Sequence, residues 1–294
     1  MAAAPHSPLF KAVRVIGVAS GLGARDPGCA DGPAVLQQSG VFDSDTVPVS
    51  WSDILTPEAG LRAPLEAIAE LCGRLADKVQ QELAAGNFPV VAGGDHSCAI
   101  GTWSVVRHWL GGPLGLIWVD AHMDSHTFAT SPSKAIHGMP VACLLGRGER
   151  ALTGLVAAYP KLHPAHVCLL GVRSYEAGEA ALLEELGVRV IHMEEIHRRG
   201  LPACLAEARA IARDGTAGYG ISIDLDAFDP AEEPGVGSPA PDGLVRHALE
   251  PALRVLRGDP QFVAMEIAEY NPHRDRHRLT ARAAGGLLRA ALGA

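Results

Sequence analysis

Three short segments of the chain combine histidine and aspartate in a way that could hold metal ions. They read GGDHS, DAHMD and SIDLDAFDP, and they begin at residues 93, 120 and 222. In the second and third segments the polar residues recur every two positions, so an extended backbone would point them to the same side. The candidate ligands are two imidazoles and four carboxylates: His96, His122, Asp120, Asp124, Asp224 and Asp226.

The first two segments directly follow runs of apolar residues, at 89–92 and 115–119, and the third overlaps the end of a run at 219–223. Carboxylates at the end of a buried strand repel one another strongly unless a cation neutralises them. Carboxylate and imidazole ligands without thiolates favour a hard divalent ion such as Mn²⁺ over a structural zinc site. Six ligands are more than one catalytic ion usually takes from a protein, so we predict two ions that share bridging carboxylates.

The elements that must position these residues follow from the hydrophobic pattern, in which short apolar runs alternate with longer amphipathic segments. The runs predict strands at 13–18, 89–92, 115–119, 166–171, 188–192, 219–223 and 262–267. The amphipathic segments predict helices at 62–85, 97–110, 176–186, 201–213, 244–256 and 281–292. Strands that are apolar on both faces need cover on both sides. We therefore expect one α/β domain over residues 1–294, a three-layer sandwich with a mostly parallel central sheet and helices on both faces.

Two stretches rich in glycine and proline, 21–33 and 230–243, are expected to be long surface loops. Loops that follow strands in an open parallel sheet build the ligand site at its carboxyl edge. Six cysteines are spread along the chain without a CxxC pair. In a chain with a large core this pattern predicts buried free thiols rather than a disulfide framework or a zinc knuckle.

Composition and charge exclude several kinds of partner. The chain has 294 residues, with 25 lysines and arginines against 33 aspartates and glutamates, a net charge of −8. This balance argues against binding to nucleic acid or to an anionic membrane. The apolar runs are far shorter than the roughly 20 residues of a membrane span. The first residues carry no secretion signal pattern, so a cytoplasmic location is expected.

The segments GGDHS, DAHMD, IHGMP, SIDLDAFDP and EIAEYNP, in this order and spacing, resemble the ureohydrolase family of arginases and agmatinases. The resemblance extends from the region of Gly17 and residues 31–33 to Thr280. It implies an arginase-like fold, a homotrimer or homohexamer, and two Mn²⁺ ions per subunit. By this resemblance one ion is bound by His96, Asp120, Asp124 and Asp224. The other is bound by Asp120, His122, Asp224 and Asp226.

The chemistry expected of such a site is the hydrolysis of a guanidino group to urea. A water molecule that bridges two cations has a lowered pKa, so hydroxide can attack the guanidinium carbon at mildly alkaline pH. Asp124 is placed to hydrogen-bond this hydroxide and hold it in line. By the resemblance, His137 transfers a proton, and Glu269 accepts paired N–H groups from the substrate guanidinium.

The segment expected to recognise the other end of the substrate departs from the arginase pattern. His126 stands where arginases commonly have asparagine, and Ala135 replaces a second asparagine, whereas Ser133 is retained. Glu176 stands where aspartate is typical, and it could still pair with an ammonium group. The length of the stretch 126–140 favours an arginase over an agmatinase. We therefore expect L-arginine as the substrate, bound by His126, Ser133, Glu176 and Glu269.

Other functions remain open at this point. The nearest alternative is a hydrolase of another guanidino acid, in which Lys134 or His126 binds a carboxylate at a different distance; agmatine and formiminoglutamate are further substrates within the family. A single-zinc deacetylase of the wider fold is disfavoured by the three complete motifs and by the segment EYNP. A non-catalytic relative is disfavoured because all six ligands, His137 and Glu269 are present.

Overall fold

The computed structural model describes residues 10–58 and 63–294. Eight strands form one sheet, in which every pair of neighbours is parallel and the order is β2-β1-β3-β8-β7-β4-β5-β6. The strands are β1 Val13–Val18, β2 Val49–Leu55, β3 Phe88–Ala92, β4 Leu114–Val119, β5 Leu162–Val172, β6 Arg189–His192, β7 Gly218–Asp224 and β8 Phe262–Ala268. Because all the strands run in one direction, their carboxyl ends lie along the same edge of the sheet.

Helices cover both faces of this sheet, as the hydrophobic pattern predicts. In chain order they are α1 Gly32–Ser39, α2 Pro64–Ala84, α3 Ala99–Leu110, α4 Pro140–Leu144, α5 Arg150–Thr153, α6 Ala177–Leu186, α7 Met193–Arg199, α8 Leu201–Arg213, α9 Arg246–Leu253 and α10 Leu279–Leu292. The core cluster on one face includes residues of α1, α7, α8, α9 and α10, and the cluster on the other face includes residues of α2, α3, α4 and α6. The expected three-layer α/β sandwich is confirmed.

Strand β4 shows why the sheet needs two helical layers. All six of its residues are buried, and they alternate between the two core clusters. Leu116 and Trp118 pack into the cluster that contains α2 and α3, whereas Ile117 and Val119 pack into the cluster that contains α8 and α10. A strand of this kind has no polar face for solvent, which explains its unbroken apolar sequence.

Some elements differ from the expectation. Strand β2, with the sequence VSWSDIL, was not predicted, because it is an edge strand whose residues are mostly half-buried and partly polar. The expected helix 244–256 is shorter: α9 ends at Leu253 and a 3-10 turn follows. The stretch 21–33 is not a loop throughout, because a 3-10 helix at Pro27–Asp31 leads into α1. The first residue of the expected helix 62–85 lies outside the described residues.

Two further expectations concern cysteines and membranes. All six cysteines are free and buried, as the spacing predicts: Cys29, Cys72, Cys98, Cys143, Cys168 and Cys204. Among the residues that the structure describes, no helix combines the length and the apolar character that crossing a membrane requires.

Candidate metal centre and active site

The carboxyl ends of four adjacent strands bring the predicted polar segments together. Strands β3, β8, β7 and β4 are neighbours at the centre of the sheet. His96 follows β3, Asp120 follows β4, Asp224 ends β7, and Glu269 follows β8. Segments separated by as many as 173 residues in sequence therefore meet at one place, because parallel pairing aligns the strand ends.

The six candidate ligands form two groups of side chains. In the first group, His96 Nδ1 lies 3.1 Å from Asp124 Oδ2, 3.1 Å from Asp224 Oδ2 and 3.4 Å from Asp120 Oδ2. In the second group, His122 Nδ1 lies 3.1 Å from Asp226 Oδ2 and 3.4 Å from Asp120 Oδ1. Asp120 faces one group with each of its oxygens, which is the arrangement that a carboxylate bridging two ions requires.

The side chains converge for a different reason from the one expected. An extended backbone with a repeat of two residues was predicted, but both segments turn directly after their strands. Asp124 adopts the left-handed conformation, with φ of 47°, which a residue other than glycine rarely does. Asp224 caps the 3-10 turn at Leu225–Ala227, and its Oδ1 accepts a hydrogen bond of 2.8 Å from the backbone N–H of Asp226. The side chains therefore converge because of these turns, and not because of the two-residue repeat of an extended strand.

A chain of hydrogen bonds at Nε2 of His96 indicates whether the opposite ring nitrogen, Nδ1, can bind a cation. Ser222 Oγ donates to Glu266 Oε1 at 2.7 Å, so it accepts from His96 Nε2 at 3.0 Å. This assigns the proton to Nε2 and a lone pair to Nδ1. His96 Nδ1 is buried and, among the described residues, has no hydrogen-bond partner. A lone pair and three carboxylate oxygens facing one point fit a divalent cation.

The electrostatics of the centre without a cation lead to the same conclusion. Burial and the charge of Asp120 raise the pKa of Asp124 to about 7. Burial and the charges of Asp226 and Asp120 raise the pKa of Asp224. Burial opposes protonation of His96, but the three carboxylates more than offset it and raise the pKa of this imidazole. The centre therefore carries an excess of negative charge that only added positive charge can offset.

His137 and Glu269 form a pair beside the first group of ligands. Glu269 adopts a φ of 67°, and its Oε1 accepts a hydrogen bond of 2.9 Å from the backbone N–H of His96. The same oxygen lies 2.9 Å from His137 Nδ1. Burial lowers the pKa of His137, but the charge of Glu269 and this hydrogen bond more than offset it and raise the pKa to about 9. This contact uses Nδ1 of His137, and the residue also lines a cleft above the two groups.

A cleft of about 190 Å³ opens above the two groups. Of the residues expected to bind substrate, His126, Ser133 and Glu176 line it, and Glu269 is buried beside His137, which also lines it. His126 Nε2 lies 2.6 Å from Glu176 Oε2. Lys134 is not part of this lining within the described chain, because its Nζ donates to the carbonyl oxygen of Phe128 at 2.5 Å.

Several residues of the site carry no sequence signal that singles them out. Arg25, Glu179 and Ser238 also line the cleft. Arg25 and Ser238 lie in the two stretches expected to form loops at the site, and Glu179 lies in a predicted helix, but no motif singles out these three residues. Trp118 stacks on His96, with ring centroids 4.1 Å apart, and its Nε1 donates to Asp120 Oδ2 at 2.8 Å. Its place two residues before Asp120 on a buried strand, where an indole N–H needs a partner, could have indicated this contact.

Removing the hydroxyl of Ser222 is expected to weaken divalent metal binding without unfolding the protein. The Ser222→Ala variant takes away the acceptor that fixes the Nε2 proton of His96, and loss of such a partner costs about 10- to 100-fold in metal affinity. Calorimetric titration of Mn²⁺ into metal-free protein measures the change. Ser104→Ala is the matched control, because the Ser104 hydroxyl is buried and unpaired among the described residues. Equal affinities for the two variants would contradict the role of Ser222.

The three-layer fold, with two histidine–carboxylate groups at the carboxyl edge of its sheet, defines the arginase-like class of proteins. A model described as the arginase family matches residues 11–293. The arginase of Bacillus caldovelox is 37% identical over 292 residues, which cover 95% of this chain and 97% of that relative. The crystal structure of arginase from Bacillus subtilis has a TM-score of 0.89 and 33% identity, covering 97% of this chain and 99% of that chain.

The structure of Entamoeba histolytica arginase in complex with L-ornithine is also similar, with a TM-score of 0.86 and 26% identity, covering 97% of this chain and 99% of that chain. The chain belongs to the arginase family. It is therefore a hydrolase that acts on amidino groups. The resemblance seen in the sequence motifs is confirmed, and so is the arginase-like fold.

Proposed function

We propose that the protein hydrolyses L-arginine to L-ornithine and urea with two Mn²⁺ ions. The main support for this proposal is the position of Asp120, which has one carboxylate oxygen near each of the two histidine-containing groups of candidate ligands. We assign the first ion to His96, Asp120, Asp124 and Asp224, and the second to Asp120, His122, Asp224 and Asp226. Oxygen and nitrogen donors without a thiolate support a hard divalent ion such as Mn²⁺.

Each residue has a defined task in this proposal. When bound, the two ions would lower the pKa of water so that hydroxide is available near neutral pH. Asp124 orients the attacking oxygen, and its position beside His96 supports this. Glu269 binds the substrate guanidinium and directs its central carbon to that oxygen. Attack forms the new C–O bond; the C–N bond to ornithine then breaks, and His137 Nε2 delivers a proton to the leaving amine.

The choice of L-arginine over other substrates rests on the cleft and on the relatives. Several relatives that are 30–37% identical over nearly the whole chain are named arginases. Glu176 lines the cleft, where its carboxylate could bind an ammonium group. Lys134 is not among the described residues that line the cleft, and its Nζ donates to the carbonyl oxygen of Phe128. This does not support the alternative in which Lys134 binds the carboxylate of another guanidino acid.

A substrate panel tests this function. Protein loaded with Mn²⁺ is offered L-arginine, agmatine, 4-guanidinobutyrate, 3-guanidinopropionate and N-formimino-L-glutamate, with urea and formamide scored separately. We expect urea mainly from L-arginine, because the cleft can bind both charges of an amino acid. Urea mainly from another guanidino compound, or formamide from the last compound, would retain the metal chemistry and contradict the proposed substrate. Full activity after removal of divalent metal with a chelator would contradict the proposed centre.

We also propose that residues 1–294 form one catalytic domain that assembles as a homotrimer or homohexamer in the cytoplasm. The single continuous sheet supports the first part of this proposal, and the resemblance to ureohydrolases supports the second. Sedimentation analysis of the purified chain measures its oligomeric state, and a monomer at micromolar concentration would contradict it.

A further inference from the structure

The cleft has acidic side chains and an arginine among its lining residues. Glu176 and Glu179 at the start of α6 line it, and so does Arg25, from the loop that follows β1. Over the described ranges Arg25 forms no ion pair, whereas the next residue, Asp26, is paired with Arg274 at 2.6 Å. Arg25 thus has no anionic partner among the described residues, and it lies in a cleft expected to receive a zwitterion.

The backbone on both sides of Arg25 is fixed by contacts with the catalytic elements. The N–H of Gly23 donates to Asp95 Oδ2 at 2.9 Å, and the carbonyl of Gly23 accepts from the N–H of His137 at 3.1 Å. A Cβ at position 23 would lie 2.6 Å from Asp95 Oδ1, so the approach needs glycine. Asp26 Oδ1 accepts from the N–H of Gly28 at 3.0 Å. The loop therefore holds Arg25 at a set position beside the cleft.

The residues expected to bind a substrate carboxylate are engaged elsewhere. Both ring nitrogens of His126 have partners, with Glu176 Oε2 at 2.6 Å and Thr130 Oγ1 at 3.0 Å. Lys134 donates to a backbone carbonyl, and Ala135 has no polar group. Within the described part of the chain, Arg25 is the one lysine or arginine that lines the cleft. Ser133 also lines the cleft and can offer a substrate carboxylate a hydroxyl group, but it carries no charge. Arg25 is therefore the positive partner that the described lining offers to this carboxylate.

We propose that Arg25 binds the substrate carboxylate and is the residue that makes the enzyme prefer guanidino acids over agmatine. The inference deepens the proposed function and rests on it. A guanidinium group donates two parallel hydrogen bonds to a carboxylate, a geometry that a lysine cannot reproduce. Glu176 lines the same cleft, and its carboxylate has a second oxygen for the ammonium group while Oε2 stays with His126. Agmatine keeps the ammonium group of arginine and lacks its carboxylate. Arg25 can therefore form an ion pair with arginine but not with agmatine.

Steady-state kinetics of the Mn²⁺-loaded enzyme test this assignment. Wild type, Arg25→Met, Arg25→Lys and Lys134→Met are compared on L-arginine, 4-guanidinobutyrate and agmatine. In Arg25→Met, kcat/KM should fall about 10- to 100-fold for the two carboxylate substrates, mainly through KM, as expected for losing a hydrogen bond between charged groups. The value for agmatine should stay the same or rise. Arg25→Lys should recover part of the loss, and Lys134→Met should match wild type.

The outcomes separate the two proposals. Equal losses on all three substrates, or no loss on any, would overturn the role of Arg25 while the proposed function stands. If the wild type hydrolyses none of the compounds, both the proposed function and the proposed role of Arg25 are wrong. Thermal unfolding of Arg25→Met should match that of the wild type, because Arg25 is exposed and unpaired among the described residues. A lower unfolding temperature would show that the side chain has a structural role instead.

Discussion

Replacing Asp224 with asparagine is expected to abolish turnover while the fold remains intact. Asp224 Oδ2 lies 3.1 Å from His96 Nδ1, and the proposed centre uses this carboxylate for both ions. An amide is a neutral and weaker ligand, so the variant should lose metal binding together with the charge stabilisation that metal provides. We expect kcat/KM on L-arginine to fall by a factor on the order of 1,000 or more.

The stability of the metal-free protein gives an independent test of the same substitution. Asp224 is buried beside three other carboxylates, and burial together with its neighbours' charges raises its pKa. Asparagine removes one of these like charges, and its side-chain oxygen can still accept from the N–H of Asp226. Without metal, Asp224→Asn should therefore unfold at the same temperature as wild type or at a higher one.

Added Mn²⁺ should reverse the order of the two unfolding temperatures, so that wild type unfolds at the higher one. Wild type gains stability from a ligand that binds only the folded state, and the variant should lose most of that gain. Asp242→Asn is the matched control: Asp242 is exposed with φ of 60°, a conformation that asparagine tolerates well, and it should behave as wild type. An Asp224→Asn protein with wild-type turnover, or with the full Mn²⁺-induced rise in unfolding temperature, would contradict the two-ion assignment.

The sequence predicts well that the candidate ligands come together, because strand ends in a parallel sheet share an edge. Each buried strand could be recognised by its apolar run, and His96, Asp120 and Asp224 each lie within four residues of the end of one. Bringing these ends together requires only that β3, β7 and β4 lie close in one sheet. The prediction therefore needed no knowledge of loop conformation.

The exact orientation of the side chains depends on turns whose conformation the sequence does not specify. Asp124 and Glu269 both adopt positive φ, which no rule based on alternation anticipates for these residue types. Backbone strain of this kind persists only where surrounding contacts hold it. Strand β2 was missed for a related reason, since an edge strand has a single neighbour and needs no unbroken apolar run.

Contacts between loops that are distant in sequence were the features of the site that the sequence could not predict. His126 and Glu176 are 50 residues apart and meet because they follow the neighbouring strands β4 and β5. Arg25 reaches the cleft because Gly23 pairs with Asp95 and with His137, which are 72 and 114 residues further along the chain. These are tertiary hydrogen bonds between irregular segments, so they leave no periodic pattern in the sequence.

Replacing Glu269 with glutamine is expected to reduce turnover severely while leaving metal binding in place. Burial raises the pKa of Glu269, but the charge of His137 and their hydrogen bond more than offset it, so the carboxylate is ionised. Glutamine retains the size and the acceptor for the His96 N–H but offers the substrate guanidinium no charge. Losing such a charged partner in a buried site should lower kcat/KM by about 100- to 1,000-fold.

The Mn²⁺-induced rise in unfolding temperature separates this variant from Asp224→Asn. It should be preserved in Glu269→Gln, since Glu269 is not among the six assigned ligands, and its loss would place this carboxylate in the metal centre. Glu185→Gln, which removes an exposed carboxylate paired with Arg147, is the matched control and should match wild type in both measurements.

His137→Asn should cause a separate loss, because it removes the proton carrier and leaves the guanidinium partner in place. Since Glu269 Oε1 and His137 Nδ1 share one hydrogen bond of 2.9 Å, the two substitutions disturb the same pair. The double variant should then lose less activity than the product of the two single losses. Strictly multiplicative losses would show that the two residues act independently, and the hydrogen bond between them would then have no part in positioning the imidazole.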